Sequence, residues 1–124
     1  MSEYTVKSID ELTAINGGTT RLAGAELGIE SFGMQVFEFP GGFEGYPEHD
    51  HGDEGQEEVY VVLAGSGEFE LNGERHSLAP GQLVRVAPAT RRKLWPGPDG
   101  LRILAIGSVI GGGYERPAGL GLPG

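Results

Sequence analysis

Apolar positions in this chain come in short runs, each cut off by glycine or proline before it could complete a helix of ordinary length. Residues 4–6 read as a short edge strand. Ser8-Ile9-Asp10-Glu11 has the spacing of a capping box, so residues 9–15 are expected to make a helical turn or two ending at Asn16-Gly17-Gly18. Residues 19–25 and 29–39 read as strands. In the second, Phe32, Met34 and Val36 share one face while Phe37 and Phe39 take the other, which requires either a bulge or burial on both sides. Residues 59–63 are apolar at every position, so both faces of that strand are expected to be buried, with Ala64-Gly65-Ser66-Gly67 as the turn that ends it. Asn72-Gly73 between Phe69-Glu70-Leu71 and Glu74-Arg75-His76 is a hairpin signal, because Asn-Gly accepts the positive φ angles of a type I′ turn. Residues 83–87, a brief strand at 94–95 closed by Pro96-Gly97-Pro98, and a long strand at 101–109 complete the pattern.

Eight or nine short strands joined by tight turns define an all-β fold, a jelly-roll barrel or sandwich, with an immunoglobulin-like sandwich as the rival. The expected organisation is N-terminal strands and a short helix packing on the barrel at 1–28, the barrel at 29–110, and a tail at 111–124 that is flexible or draped on the surface. No internal repeat is present. The 23 glycines and 8 prolines in 124 residues favour this turn-rich reading over long helices.

Charge and cysteine content narrow the partners. A formal charge of −9 argues against nucleic acid and anionic membrane surfaces. No apolar stretch reaches membrane-spanning length, and MSEYTVKSID lacks the basic-then-apolar order of a signal peptide, so the cytoplasm is the expected location. With no cysteine, any metal must be held by nitrogen and oxygen.

Candidate chemistry gathers at 48–67. His49 and His51, two residues apart, point to one face of an extended segment, and a chain reversal could bring Glu58 beside them. Two imidazoles and a carboxylate suit a divalent ion such as Fe, Mn, Ni or Zn. Asp50 should point outward, and Asp53, Glu54 and Glu57 form an acidic loop open to solvent. His76 reads as a half-exposed strand residue. Tyr60 and Val62 share the Glu58 face and should line the space below it, with Tyr60 as a possible hydrogen-bond donor to a ligand. Phe37, Phe39, Met34 and Trp95 are core residues that could also serve as cavity walls.

In these residues the chain resembles a small single-domain cupin. The family's first motif, a His-x-His pair, a spacer, a Glu, six residues and a Gly, is matched by His49, His51, Glu58 and Gly65, and the resemblance extends over about residues 30–107. It implies a double-stranded β-helix barrel, a metal at the barrel mouth, a small-molecule ligand and a homodimer. Two features depart from the family. The spacer GDEGQE is long, which leaves Glu57 as an alternative carboxylate, although strand alternation sends it to the opposite face. The second motif, Pro-x-Gly-x-x-His, aligns with Ala87-Pro88-Ala89-Thr90-Arg91-Arg92. Arg92 thus stands where the fourth ligand belongs, and a guanidinium cannot ligate a metal. Three roles for Arg92 stay open: a fork for a substrate carboxylate or phosphate beside the metal, a partner of Glu58 that replaces the ion's charge, or part of a solvated basic run. The functions implied are a metal-dependent oxygenase, isomerase or lyase acting on a small anionic molecule, or a non-catalytic cupin that binds or senses a small ligand. Whether the protein is an enzyme is open at this point, since no acid or base is apparent beyond the ligands themselves.

Overall fold

The computed structural model describes residues 3–123; residues 1–2 and 124, at the ends of the N-terminal and tail segments, lie outside it. Seven antiparallel strands roll into one sheet: β1 (Ala14–Ile15), β2 (Thr20–Arg21), β3 (Gly33–Phe39), β4 (Gln56–Leu71), β5 (Glu74–Leu78), β6 (Leu83–Val86) and β7 (Arg92–Val109). The order is β1-β2-β3-β7-β4-β5, with β6 also on β4. A jelly-roll barrel is therefore what the turn-rich pattern builds.

Two expected breaks are absent. Ala64-Gly65-Ser66-Gly67 does not turn, and Pro96-Gly97-Pro98 does not end a strand; β4 and β7 pair with each other along nearly their whole lengths. The pair bends through register shifts between Val62 and Ala64 and between Gly65 and Gly67. Backbones approach too closely there for a side chain: a Cβ on Gly65 would lie 2.1 Å from the Gly100 carbonyl oxygen, and one on Gly67 2.5 Å from that of Trp95. The glycines that read as turn formers instead let two long strands curl together into a barrel wall.

The N-terminal segment also differs from its reading. Residues 4–6 form no strand, and the capping box starts only a 3-10 turn, Ile9–Glu11, in which the Ser8 N–H donates to Glu11 Oε1 at 2.8 Å. After β2 comes a short helix α1 (Ala23–Leu27) in place of further strand. Gly28 closes it at φ +79°, donating to the Gly24 and Ala25 carbonyls. Ala23 and Gly24 are buried, and Gly24 lies so close to β3 that a Cβ would meet the Met34 backbone at 3.2 Å.

This cover explains the aromatic alternation of β3. Val36 faces Leu12 and Ala23 outside the barrel, with Met34 and Leu104 beside it, while Phe39 and Phe37 face the main core of Tyr60, Val62, Phe69, Leu94, Leu101 and Ile103. β3 is thus buried on both sides. The same expectation fails for 59–63: Glu58, Tyr60 and Val62 point inward and are buried, but Val59 and Val61 are only half-buried and Leu63 is 36% exposed. Among the described residues no segment lies over that outer face as α1 lies over β3.

The tail runs over the barrel mouth. The Tyr114 ring stands against Gly33, where a Cβ would lie 2.9 Å from its hydroxyl, and the Arg116 guanidinium donates to the Ile29 carbonyl.

Candidate functional site

Strand register decides what faces the barrel interior near its mouth. Glu58 on β4 stands opposite Gly107 on β7, which stands opposite Gly33 on β3; the next inward row is Tyr60, Ala105 and Gln35. Two glycines in the Glu58 row leave room instead of side chains. A Cβ on Gly107 would come within 3.0 Å of Glu58 Cγ. Above this floor lies a cavity of about 960 Å³ bordered by His49, His51, Glu58, Tyr60, Tyr46, Phe37, Phe39, Phe43 and the tail residues Tyr114 and Leu120, among others.

The segment carrying the histidines is fixed by backbone bonds to the turn that precedes β7. The His49 N–H donates to the Arg92 carbonyl at 3.0 Å, the Arg92 N–H returns to the His49 carbonyl at 2.8 Å, and the His51 N–H donates to the Pro88 carbonyl at 2.7 Å. The Nδ1–H of His49 donates to the Pro47 carbonyl at 3.0 Å, which leaves its Nε2 as a free lone pair. On His51, Nδ1 bonds the Glu54 carboxylate and Nε2 lies 3.4 Å from Glu58 Oε1. Hydrogen bonds that fix the far nitrogen of each ring are what a metal-ligating histidine needs. One ligand atom from each of His49, His51 and Glu58 lies within 4.8 Å of the others, and two imidazoles with a carboxylate are a donor set that divalent ions take. The residues therefore fit a divalent ion.

Glu58 is held from two further directions. Its Oε1 accepts from the Tyr60 hydroxyl at 2.7 Å and from Arg92 Nη1 at 2.7 Å, and Tyr60 is in turn 3.2 Å from the Tyr46 hydroxyl. Burial pushes the Glu58 carboxyl up, but hydrogen bonds from His51 and Tyr60 and the charges of His51 and Arg92 outweigh it, and its pKa sits below the ordinary value. For His51 the hydrogen bond to Glu58 outweighs burial, Glu54 adds to it, and the pKa is raised. Burial raises both Tyr46 and Tyr60, which stay protonated at physiological pH.

Arg92 is the most enclosed charged group among the described residues, at 0% exposure. Its Nε donates to the Thr90 carbonyl, and its Nη2 to the carbonyls of Ala87, Pro88 and Thr90, at 2.9–3.1 Å. The turn that replaces the family's second motif wraps its carbonyls around the guanidinium, and Nη1 is left for Glu58. Of the three roles open for Arg92, the geometry forms the buried pair with Glu58 and not the substrate-facing fork; the guanidinium does not border the cavity. Nor is it a solvated basic run. Tyr60 does border the cavity, but its hydroxyl is engaged by Glu58 and Tyr46.

The other sequence candidates separate cleanly. Glu57 points outward and pairs with Arg85 at 2.6 Å, as strand alternation requires. Asp50 is exposed and accepts from the Gly52 N–H. His76 stays half-exposed on β5, far along the chain from the site. Phe37 and Phe39 do form cavity wall; Met34 packs on the outer cluster, and Trp95 lies between Arg75 and Lys93. Two site residues escaped the sequence reading. Glu54, read as solvated loop, bonds His51; its place three residues after that histidine was the available signal. Tyr46, in an irregular loop, had no periodic signal at all.

The chain is similar to known proteins. The family described as Cupin domain matches residues 35–107, and the chain belongs to that family. A cupin protein from Bacteroides fragilis superimposes with a TM-score of 0.74 at 22% identity, covering 100% of this chain and 99% of that one. A sugar phosphate isomerase of the cupin superfamily from Silicibacter pomeroyi gives 0.71 at 17% identity, covering 84% of this chain and 75% of its own. KdgF from Halomonas gives 0.54 at 24%, covering 63% and 70%. At these identities the likeness is one of fold. No curated relative matches the chain. Among the described residues no helix is long and apolar enough to cross a membrane.

Proposed function

We propose that this cupin holds one divalent metal ion on His49, His51 and Glu58 and binds a small molecule beside it in the barrel-mouth cavity. The observation that carries this reading is the gathering of His49, His51 and the buried Glu58 carboxylate, one ligand atom of each within 4.8 Å of the others, with the Nδ1 atoms of the two imidazoles tied to Pro47 and Glu54. A bound Fe, Mn, Ni or Zn ion would supply Lewis acidity, or oxygen activation if it is iron. The chain's own residues would do the rest. Glu54 and Pro47 orient the rings, Tyr60 and Arg92 hold Glu58, and the aromatic wall and tail limit water at the mouth. An oxygenase, isomerase or lyase is the enzymatic form of this proposal, and a ligand-binding or sensing protein is the non-catalytic form.

The Arg92–Glu58 pair favours a second reading, a metal-free polar pocket. Any ion on Glu58 would lie near a fixed cation, and two charges about 4 Å apart repel by an amount on the order of 4 kcal/mol per charge product at an effective dielectric of 20. Metal analysis of untagged protein separates the two. Near-stoichiometric metal that is lost in both His49→Ala and Glu58→Ala supports the metal centre. Protein that stays empty after dialysis against Fe(II), Mn(II), Ni(II) and Zn(II) supports the metal-free pocket. The homodimer is part of the same proposal, with the open apolar face at Leu63, Val61 and Leu83 as its contact; Leu83 is 72% exposed opposite Val61. Sedimentation of wild type and Leu83→Glu tests it. The cysteine-free, acidic composition supports a cytoplasmic setting.

A further inference from the structure

We infer that the side of the cavity leading away from the histidines is built for a flat, uncharged ring, so that the bound small molecule carries a planar apolar group and not a phosphate. This rests on the proposal that the cavity is the ligand site.

From His49 the wall continues as a chain of rings. Tyr46 lies 5.3 Å from His49 between centroids, Phe37 and Phe39 lie 5.7 and 5.8 Å from Tyr46 at steep angles, and Phe43 stacks on Phe39 at 5.1 Å. Phe37, Phe39 and Phe43 are nearly parallel, with interplanar angles of 10° and 6°. Phe39 is buried between its neighbours, but Phe37 and Phe43 are only half-buried, and both border the cavity. Their uncovered surface is apolar area that a ligand ring would remove from water, at about 25 cal/mol per Å². Phe43 is held in place although it sits in a loop: its ring lies over Gly45, where a Cβ would be 2.5 Å away, so a larger residue at 45 would expel it. A preformed wall costs less ordering on binding than one that must assemble.

Charge points the same way. Among the described residues no lysine or arginine borders the cavity, and the acidic groups there are the carboxylates Glu54, Glu58 and Glu115. A phosphate would meet anions and no guanidinium, since Arg92 is enclosed elsewhere. The uncharged polar groups lining the cavity are amides and hydroxyls, among them Gln35, Gln56 and Thr20, which suit neutral oxygen or nitrogen atoms on a ring. This separates the chain from a sugar-phosphate site on the same scaffold.

The test titrates two probes, 2-naphthol and glucose 6-phosphate, against wild type, Phe43→Ala, Phe43→Tyr and Phe37→Leu, each checked for native fold by circular dichroism. Chemical shifts report binding, with EDTA in one series and added Mn(II) in another. Saturable 2-naphthol binding, weakened tenfold or more by Phe43→Ala and kept by Phe43→Tyr, with no saturation by glucose 6-phosphate, is expected in both series. Glucose 6-phosphate saturating at the same or lower concentration would overturn the inference, as would 2-naphthol binding indifferent to Phe43→Ala and Phe37→Leu, or absent altogether. Failure to bind Mn(II) while the ring still binds would sink the metal proposal alone.

Discussion

The two sides of the cavity are held by different physics. On the His51 side each polar group has a partner: Glu54 and Glu58 flank His51, Glu58 accepts from Tyr60 and Arg92, and Arg92 fills its remaining donors with turn carbonyls. On the Phe43 side there is shape without pairing, three stacked rings whose outer members keep open surface. Removing one member of a buried, paired set strands its partner, whereas trimming an open wall only lowers contact area. The first side should therefore be brittle and the second tolerant.

The most severe way to break that contrast is Arg92→Ala. It leaves the Glu58 carboxylate without its cation and should cost about 3–5 kcal/mol in urea unfolding, against about 1 kcal/mol for Phe43→Ala at a half-buried ring. Equal losses would remove the distinction. Arg92→His sharpens it from the other direction. It deletes the cation and supplies an imidazole at the family's fourth-ligand place, so affinity for Zn(II) or Mn(II), measured by chelator competition, should rise tenfold or more. Unchanged affinity would mean that Glu58 does not serve an ion. Tyr60→Phe removes the hydroxyl between Tyr46 and Glu58 and should cost about 1 kcal/mol, with thermal unfolding as the readout.

The smallest effect expected is a pH dependence of the metal-free protein. His51 has a raised pKa, so its contribution is complete below 6.5 and fades as pH rises through the raised value. Glu58 has a lowered pKa, so its contribution is complete above 4.5 and fades as pH falls through the lowered value. The two overlap between pH 4.5 and 6.5, where stability should peak. Glu54→Gln should pull in the alkaline edge of that peak, because Glu54 adds to the His51 shift. A peak that keeps its alkaline edge in Glu54→Gln would show that the loop carboxylate does not act on His51.

Much of the scaffold was legible because alternation is a local signal. Glu58, Tyr60 and Val62 fall on one face by counting twos, and the outward turn of Glu57 follows from the same count. The uniform apolar run at 59–63 misled, because an exposed Val-Leu face is indistinguishable in sequence from a buried one; what covers a sheet is settled by distant segments such as α1. Glycines at 65, 67 and 97 misled in another way. A glycine that permits a turn and a glycine that permits two backbones to touch are the same letter, and only the partner strand decides between them. Around the site, the histidine pair announced itself by spacing. The enclosure of Arg92 did not, because it depends on three carbonyls of a turn whose conformation no side-chain pattern encodes.

The tail's position has a practical corollary. Residues 113–120 stand at the rim of the cavity, with Tyr114 seated on Gly33 and Leu120 facing the opening. An oligohistidine handle attached to this segment would be carried to the rim of the cavity whose metal content is to be assayed, and would compete for its ions. A cleavable handle, removed before measurement, avoids counting the tag's own ions as the protein's.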